Sequence, residues 1–297
     1  MRTVLLGLAL ALGCLAAAHA DTGGGTALTA EQREAETQKL GWIQEPGDYE
    51  LALSHSRIQL PKGYSLLLGA DAARYDQLWN GYESPNTEAI VFSDNDNTFA
   101  YFIYEDAGHV TEDDWKDVDA ADFLKQLKDA DADANTQRRN AGLDEFNTGD
   151  WREKPHFDGG TKTAYWAFEL FNDKNRWINA TAIRLARTGY HRIIWVGNTD
   201  RFQSASGSLD TLIAMHDYDA GYRYGDFAEG DKLAGYGIGA LAAAVLGVKL
   251  GKGVFAAIIA GILIFGKKLG ILVVAVGAGV AVWVRRLRRS RRGPPPA

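Results

Sequence analysis

The sequence predicts an α+β domain built on an antiparallel sheet, and three observations lead to this class. Several strand-like runs are separated by short polar turns, which join antiparallel neighbours, whereas parallel strands need a longer crossover. Segments with apolar residues at helical spacing stand between groups of strands rather than after each single strand. At 297 residues, the chain has room for one such domain and for membrane elements.

The first half of the domain predicts a lead-in helix, two strands, a second helix and a hairpin. Thr29 and Gln32 have the spacing of a capping box, and Gly41 is placed to end the helix that follows. The next elements are predicted as strands at 51–60 and 64–68, a helix at 71–80, and a hairpin of 89–92 with 99–104.

The second half centres on a long helix and three strands. Asp119 can cap the first amides of a helix that runs to about residue 140. Its apolar stripe consists of Phe123, Leu124, Leu127 and Ala130, and we expect Leu127 and Trp166 to be buried on opposing elements. A loop around Trp151 precedes the later elements, which are predicted as strands at 163–171, 177–185 and 191–196 and a helix at 208–215. This order of elements resembles the layered antiparallel sheet of the PsbP/Mog1-like fold.

The N-terminus predicts export from the cytoplasm. Arg2 precedes an apolar run that is too short to span a bilayer, and Ala18-His19-Ala20 follows as a small-x-small cleavage signal. Residues 1–20 therefore predict a signal peptide, and residues 21–40 a lead-in segment with one helix. A lipoprotein site at Cys14 is the alternative. Ordinary cleavage removes this single cysteine, which excludes disulfides and Cys-based zinc sites from the mature chain.

The C-terminal part predicts membrane attachment. Residues 231–284 are almost entirely apolar or glycine, and the tail 285–297 contains a cluster of six arginines that resists translocation. We therefore expect the protein in the bacterial cytoplasmic (inner) membrane, with the main domain, residues 41–230, outside the cytoplasm.

A cleaved N-terminus outside and a basic tail inside require an odd number of crossings. The apolar segments 233–248, 253–266 and 269–284 predict three short transmembrane helices. Gly235-x-x-x-Gly239 would allow close helix approach and self-association. A single crossing at 269–284 is the alternative.

The charge of the exported part limits the partners. Between Asp21 and Gly230, 37 Asp and Glu residues stand against 20 Lys and Arg residues, a net charge of −17. Nucleic-acid binding is not expected, because neutralising phosphates needs a cationic surface. The expected partners are the lipid bilayer and an envelope protein or a second copy of the chain.

Several motifs resemble the DUF2167 family of bacterial membrane-anchored proteins. They include Gly108-His109-Val110-Thr111 with Glu112-Asp113-Asp114, Trp151 through Pro155-His156-Phe157, Tyr224-Gly225-Asp226-Phe227, and Asp231-Lys232 with Ala234-Gly235-Tyr236-Gly237. The resemblance covers roughly residues 41–250. It implies a signal-led exported domain followed by a membrane region, and it implies no defined activity.

Two clusters are the candidates for function. The acidic cluster Glu112-Asp113-Asp114 with Asp117 and Asp119 could supply paired carboxylates for acid/base chemistry, since crowding of like charges raises one pKa. The candidates for a hydrolase or metal site are Glu112, Asp113, Asp114 and His156. Helix entry also attracts carboxylates, so a structural role is the alternative. Trp151, His156 and Phe157 could line a ligand groove.

No cofactor or metal site is predicted. The scattered histidines have no spacing that would place two imidazoles on one metal, and we interpret them as surface or packing residues: His55, His109, His156, His191 and His216. The favoured function is a non-enzymatic binding or scaffold module, with no enzymatic activity expected. A carboxylate-dependent hydrolase or metal-binding envelope protein is the alternative.

Overall fold

The computed structural model describes residues 28, 30–80, 84–94, 98–140, 145–173, 175–199, 202 and 209–250. The predicted signal peptide, the apolar segments 253–266 and 269–284 and the basic tail lie outside these residues.

The described residues form strands, helices and two short 3₁₀ helices. The strands are β1 (Gly47–Leu51), β2 (Ser56–Leu60), β3 (Tyr64–Leu68), β4 (Thr87–Ser93), β5 (Phe99–Glu105), β6 (His109–Thr111), β7 (Asn147–Asp158), β8 (Thr163–Phe171), β9 (Arg176–Leu185), β10 (Tyr190–Asn198), β11 (His216–Tyr218) and β12 (Leu233–Gly237). The helices are α1 (Ala30–Thr37), α2 (Gly69–Asn80), α3 (Ala120–Asn140), α4 (Leu209–Met215) and α5 (Ile238–Leu246), with 3₁₀ helices at Trp115–Asp117 and Tyr224–Asp226.

A seven-stranded antiparallel sheet is the centre of the fold. Its strand order is β3-β4-β5-β10-β9-β8-β7, and every neighbouring pair is antiparallel. A second antiparallel sheet has the order β1-β2-β11. The predicted α+β class with antiparallel sheets and flanking helices is therefore confirmed. The parallel pair of β12 with β6 is an exception to the antiparallel pattern.

Apolar side chains cover both faces of the large sheet. One face carries Phe102, Ile193 and Trp195, which pack with side chains of the three-stranded sheet and of α4. On the other face, Ile90 and Ile194 pack with Tyr75 of α2. The three-stranded sheet therefore lies against the same face as α4, and this arrangement positions the polar groups described below.

Helix α3 begins and ends where the sequence predicts, but not all residues of the predicted apolar stripe are buried. The Asp119 carboxylate accepts hydrogen bonds from the amides of Ala121 and Asp122, at 2.8 and 3.1 Å, which confirms the cap. Trp166 is fully buried, as expected, whereas Leu127 is only half-buried and Ala130 is exposed. Phe123, with 1% of its surface exposed, makes the main apolar contact of this helix.

Two strand predictions were wrong. The run predicted as one strand at 51–60 is a hairpin, because the chain turns between β1 and β2 with His55 at a φ of +51°. The predicted loop around Trp151 is the edge strand β7. An edge strand tolerates Pro155 and the three register shifts along β7, since one side of the strand makes no ladder hydrogen bonds.

The prediction of a first membrane helix at 233–248 was also wrong. Leu233 and Gly237 pair with β6, Gly235 has a φ of +77°, and the helix α5 that follows has only nine residues. Gly235 and Gly239 therefore do not share a helix face, and the predicted self-association motif is not formed there. In the part of the chain that the structure describes, no helix is both long and apolar enough to span a bilayer.

Candidate functional site

The predicted acidic cluster follows β6 and leads into the first 3₁₀ helix. Glu112 accepts a hydrogen bond from the Lys162 ammonium at 2.8 Å, which ties the cluster to the start of β8. Asp113 is exposed. Asp114 accepts hydrogen bonds from the amides of Gly239 and Ala240, at 2.8 and 2.9 Å. Two of the three carboxylates are thus engaged in contacts that hold the fold.

Asp114 acts as the N-terminal cap of α5 from a distant part of the chain. The residue before this helix is Gly237, which has no side chain to cap it. A carboxylate at this position satisfies free amides and interacts favourably with the helix dipole. The contact is so close that a Cβ on Gly239 would lie 2.6 Å from the Asp114 carbonyl oxygen. The close approach of Asp114 therefore favours glycine at position 239.

The predicted groove residues lie along β7 but do not share one face. The Trp151 indole donates a hydrogen bond to the carbonyl of Ala120 at 2.8 Å, which fastens β7 to the first turn of α3. Successive residues of a strand point to opposite faces. His156 accordingly packs on Tyr165 at 3.4 Å between ring centroids, whereas Phe157 contacts Trp115 at 5.9 Å.

The acidic cluster and His156 are likewise not brought together. Phe157 and Lys162 contact the acidic segment, but His156 lies on the other face of β7, beside Tyr165. Within the described residues, no group of three or more His, Cys, Asp or Glu side chains could hold a metal ion.

A buried polar network, which the sequence did not predict, joins the two sheets. The side chains of Glu88 and His191 are 3% and 0% exposed, and their Oε2 and Nε2 atoms lie 3.0 Å apart. The other carboxylate oxygen of Glu88 accepts hydrogen bonds from the amides of Leu53 and Ser54 in the turn between β1 and β2. Glu88 of β4 thus connects the large sheet to the small one.

Tyr218 of β11 completes this branch of the network. Its hydroxyl oxygen accepts a hydrogen bond from the amide of His191 at 3.1 Å and lies 3.0 Å from Nδ1 of the same residue. The hydroxyl also donates to the carbonyl of Arg184 at 2.9 Å. Burial raises the pKa of Tyr218 well above its ordinary value, so the hydroxyl keeps its proton.

Charge in this branch resides on Glu88. Burial acts to raise the pKa of Glu88, but hydrogen bonds from His191 and Ser54 favour the carboxylate more strongly, and the pKa lies below its usual value. Burial lowers the pKa of His191, against the attraction of Glu88. At neutral pH the Glu88 carboxylate is therefore ionised and accepts a hydrogen bond from His191 Nε2.

A second branch contains a serine and a histidine but has no access to solvent. His216 Nε2 lies 3.0 Å from Ser56 Oγ, and Ser56 Oγ lies 2.7 Å from Ser54 Oγ. This pair has the separation of a nucleophile and its base. However, Ser56 and His216 are 0% and 1% exposed, so no substrate can reach the hydroxyl. The first branch therefore joins the two sheets, and the second holds β2 and β11 together within the small sheet.

An open cleft lies beside the second branch. Its volume is about 460 Å³, and it is lined by Asp158, Thr161, Tyr165, Arg184, Asp210, Ile213, Ala214, His216 and Asp217. Three carboxylates and one guanidinium thus line the cleft, and Asp217 pairs with that guanidinium. Burial raises the pKa of Tyr165, and the negative charges of Asp210, Glu153 and Asp158 raise it further. The cleft therefore favours a positively charged group.

The residues of the network and cleft gave only weak signals in the sequence. His191 and His216 were interpreted as surface or packing residues; they are buried, but in polar contacts. Glu88 directly precedes the apolar run that was predicted as a strand at 89–92, so its burial was not expected. Nothing in the sequence indicates that residues as distant as Ser56, Arg184 and His216 meet.

Comparison with known proteins gives a family but no activity. A family model described as "Protein of unknown function (DUF2167)" matches residues 43–278, which is more than half of the chain. No curated protein matches the sequence significantly. A solved structure, cyanobacterial PsbP (CyanoP) from Synechocystis sp. PCC 6803, is similar at 12% identity and a TM-score of 0.33, over 60% of this chain and 94% of that one. At this score the likeness supports no argument, and the PsbP/Mog1-like arrangement stays a prediction.

Proposed function

The chain belongs to the DUF2167 family, and from that premise we propose that it is a non-enzymatic binding or scaffold module. The observation that carries this proposal is the use of the predicted catalytic carboxylates in the fold itself: Glu112 pairs with Lys162, and Asp114 caps α5. A general acid or base must reach a substrate proton, and these side chains are already occupied by intramolecular partners.

The binding surface in this proposal is the acidic cleft. Asp158, Asp210 and Asp217 line it together with Tyr165. An ammonium or guanidinium group fits this chemistry, and the carboxylates of the cleft can hydrogen-bond it. The proposed partner is a basic segment of an envelope protein.

Photo-crosslinking in intact cells tests the cleft. A photoreactive amino acid at Thr161 lies in the cleft, whereas the same residue at the exposed Asp133 of α3 lies outside it. We expect a discrete adduct from position 161 and none from position 133. The same adduct from both positions, or none from either, would contradict a cleft-specific partner.

The proposal includes a membrane tether with a single crossing. Because residues 233–246 belong to the folded domain, only the apolar segments 253–266 and 269–284 remain for crossings. Two crossings would place both chain ends on one side, against the predicted signal peptide and the arginine tail. A crossing at 269–284, with 253–266 at the interface, satisfies both predictions.

Cysteine labelling tests this topology. Single cysteines at Thr22, Gly251 and Ser290 are probed with an impermeant thiol reagent in intact cells. Labelling at 22 and 251 but not at 290 is the expected result. Labelling at 22 alone would contradict the single crossing, and labelling at 290 would contradict the orientation. Cleavage of the predicted signal peptide removes Cys14, the only native thiol.

A further inference from the structure

Arg184 of β9 holds the end of α4 and the start of β11 onto the large sheet. Its guanidinium donates hydrogen bonds to the carbonyl oxygens of Ile213, at 2.8 Å, and of His216. It also reaches the Asp217 carboxylate at 3.4 Å. This one side chain therefore fastens residues 213–217 to β9.

His216 contacts the same guanidinium in a way that depends on its protonation state. The distance from Arg184 Nη1 to His216 Nδ1 is 3.3 Å. The two hydrogens of Nη1 are donated to the carbonyl oxygens of Ile213 and His216, so its contact with Nδ1 is a close electrostatic one, while Nε2 lies 3.0 Å from Ser56 Oγ. A second proton on the ring would place an N–H against the N–H of Arg184 and a cation against a cation.

The groups in contact with the ring offer no carboxylate to compensate that added charge, and Asp158 and Asp210, which line the same cleft, form no ion pair with it. The groups that face His216 are Ser56 on β2, Arg184 on β9 and His191 on β10, with the apolar ring of Phe102 on β5. Glu88 lies beyond His191 and is its hydrogen-bond partner. On the strand of His216 itself, Tyr218 is uncharged, and Asp217 pairs with Arg184 and Arg223.

We propose that His216 is an acid-sensitive latch, whose protonation breaks the hold of Arg184 on residues 213–217 and releases the edge strand β11 from the large sheet. Because Arg184 and His216 also line the cleft, release alters the cleft wall. The latch does not depend on the identity of any cleft ligand.

The direction of the pH dependence follows from the closed state. Burial lowers the pKa of His216 well below its ordinary value of 6.5, and the charges of His191 and Arg184 lower it further. In the open state the ring meets water and recovers a pKa of about 6.5. The closed state is therefore fully favoured above that pH and weakens as the pH falls below it. One proton taken up on opening changes the opening equilibrium by about tenfold per pH unit.

Hydrogen exchange of the full-length chain, followed by mass spectrometry between pH 7.5 and 5, measures this opening. The protection of a peptide that covers 213–218 is the ratio of its intrinsic exchange rate to its measured rate at each pH, so that the intrinsic pH dependence of exchange cancels. In the wild-type chain we expect this ratio to fall by up to about tenfold per pH unit below pH 6.5. A ratio that does not change with pH would overturn the latch, whatever any variant does.

Two variants assign the effect to the ring. In His216→Gln the side chain stays polar but cannot titrate, so the ratio should become independent of pH. In His156→Gln, which removes a partly exposed histidine outside the network, the wild-type dependence should persist. An unchanged dependence in His216→Gln, or its loss in His156→Gln, would place the titrating group elsewhere.

Discussion

Two acidic residues of this chain cap helices, and the neighbouring sequence reveals the role of only one of them. Asp119 was readable as a cap, because it directly precedes the helix that it caps. Asp114 caps α5 across a sequence separation of 125 residues, so its role depends on the pairing of β6 with β12. A local pattern of adjacent carboxylates is therefore compatible with both catalysis and capping, and only the position of α5 separates the two.

The close contact at Gly239 gives a stability prediction. In Gly239→Ala the new Cβ would lie 2.6 Å from the Asp114 carbonyl oxygen, so the cap must shift. We expect this variant to lose about 1 to 3 kcal/mol of unfolding free energy, although alanine favours helix. Gly225→Ala is the matched control, because no atom lies within 4 Å of its added Cβ. Urea unfolding of the purified variants measures this loss. Equal unfolding midpoints for Gly239→Ala and Gly225→Ala would contradict the cap.

Elements with strong local signals were predicted well, and those defined by their neighbours were not. The hairpin of β4 and β5 and the strands β8 to β10 appear where alternation and turn residues placed them. The edge strand β7 was missed because Pro155 and its register shifts disturb the alternation of side chains. In α3 the period of 3.6 identified the helix, but only the neighbouring sheet determines that Phe123 rather than Ala130 is covered.

The packing of the helix α3 against the sheet gives a stability prediction. Phe123 is 1% exposed, so Phe123→Ala should cost about 3 to 5 kcal/mol through lost burial and a residual cavity. Leu127 is half-buried, and Leu127→Ala on the same helix should cost clearly less. Denaturant unfolding of both variants compares them. A larger loss for Leu127→Ala would mean that α3 is rotated about its axis from the position described.

For the whole molecule, the fold class was predictable from the sequence, but the way in which the strands pair and the sheets pack was not. Alternation and turn chemistry indicate antiparallel strands, but the pairing of β5 with β10 closes a loop of more than 80 residues that contains the helix α3 and the four strands β6 to β9. The docking of the three-stranded sheet through Glu88, His191 and Tyr218 depends on that pairing, because it brings β4 and β10 onto either side of β5. The cleft beside this network is a product of assembly and has no signature in the sequence.

The cleft rather than the acidic motif is proposed to carry the function, and one comparison separates them. The adduct formed from the photoreactive residue at position 161 is quantified in Asp210→Lys, which reverses a charge in the cleft, and in Asp113→Asn, which alters the exposed member of the acidic motif. Asp133→Lys on α3 controls for the change in net charge. We expect Asp210→Lys to abolish the adduct and the other two variants to retain it. Loss of the adduct in Asp113→Asn with retention in Asp210→Lys would contradict the proposed site and return the function to the acidic motif.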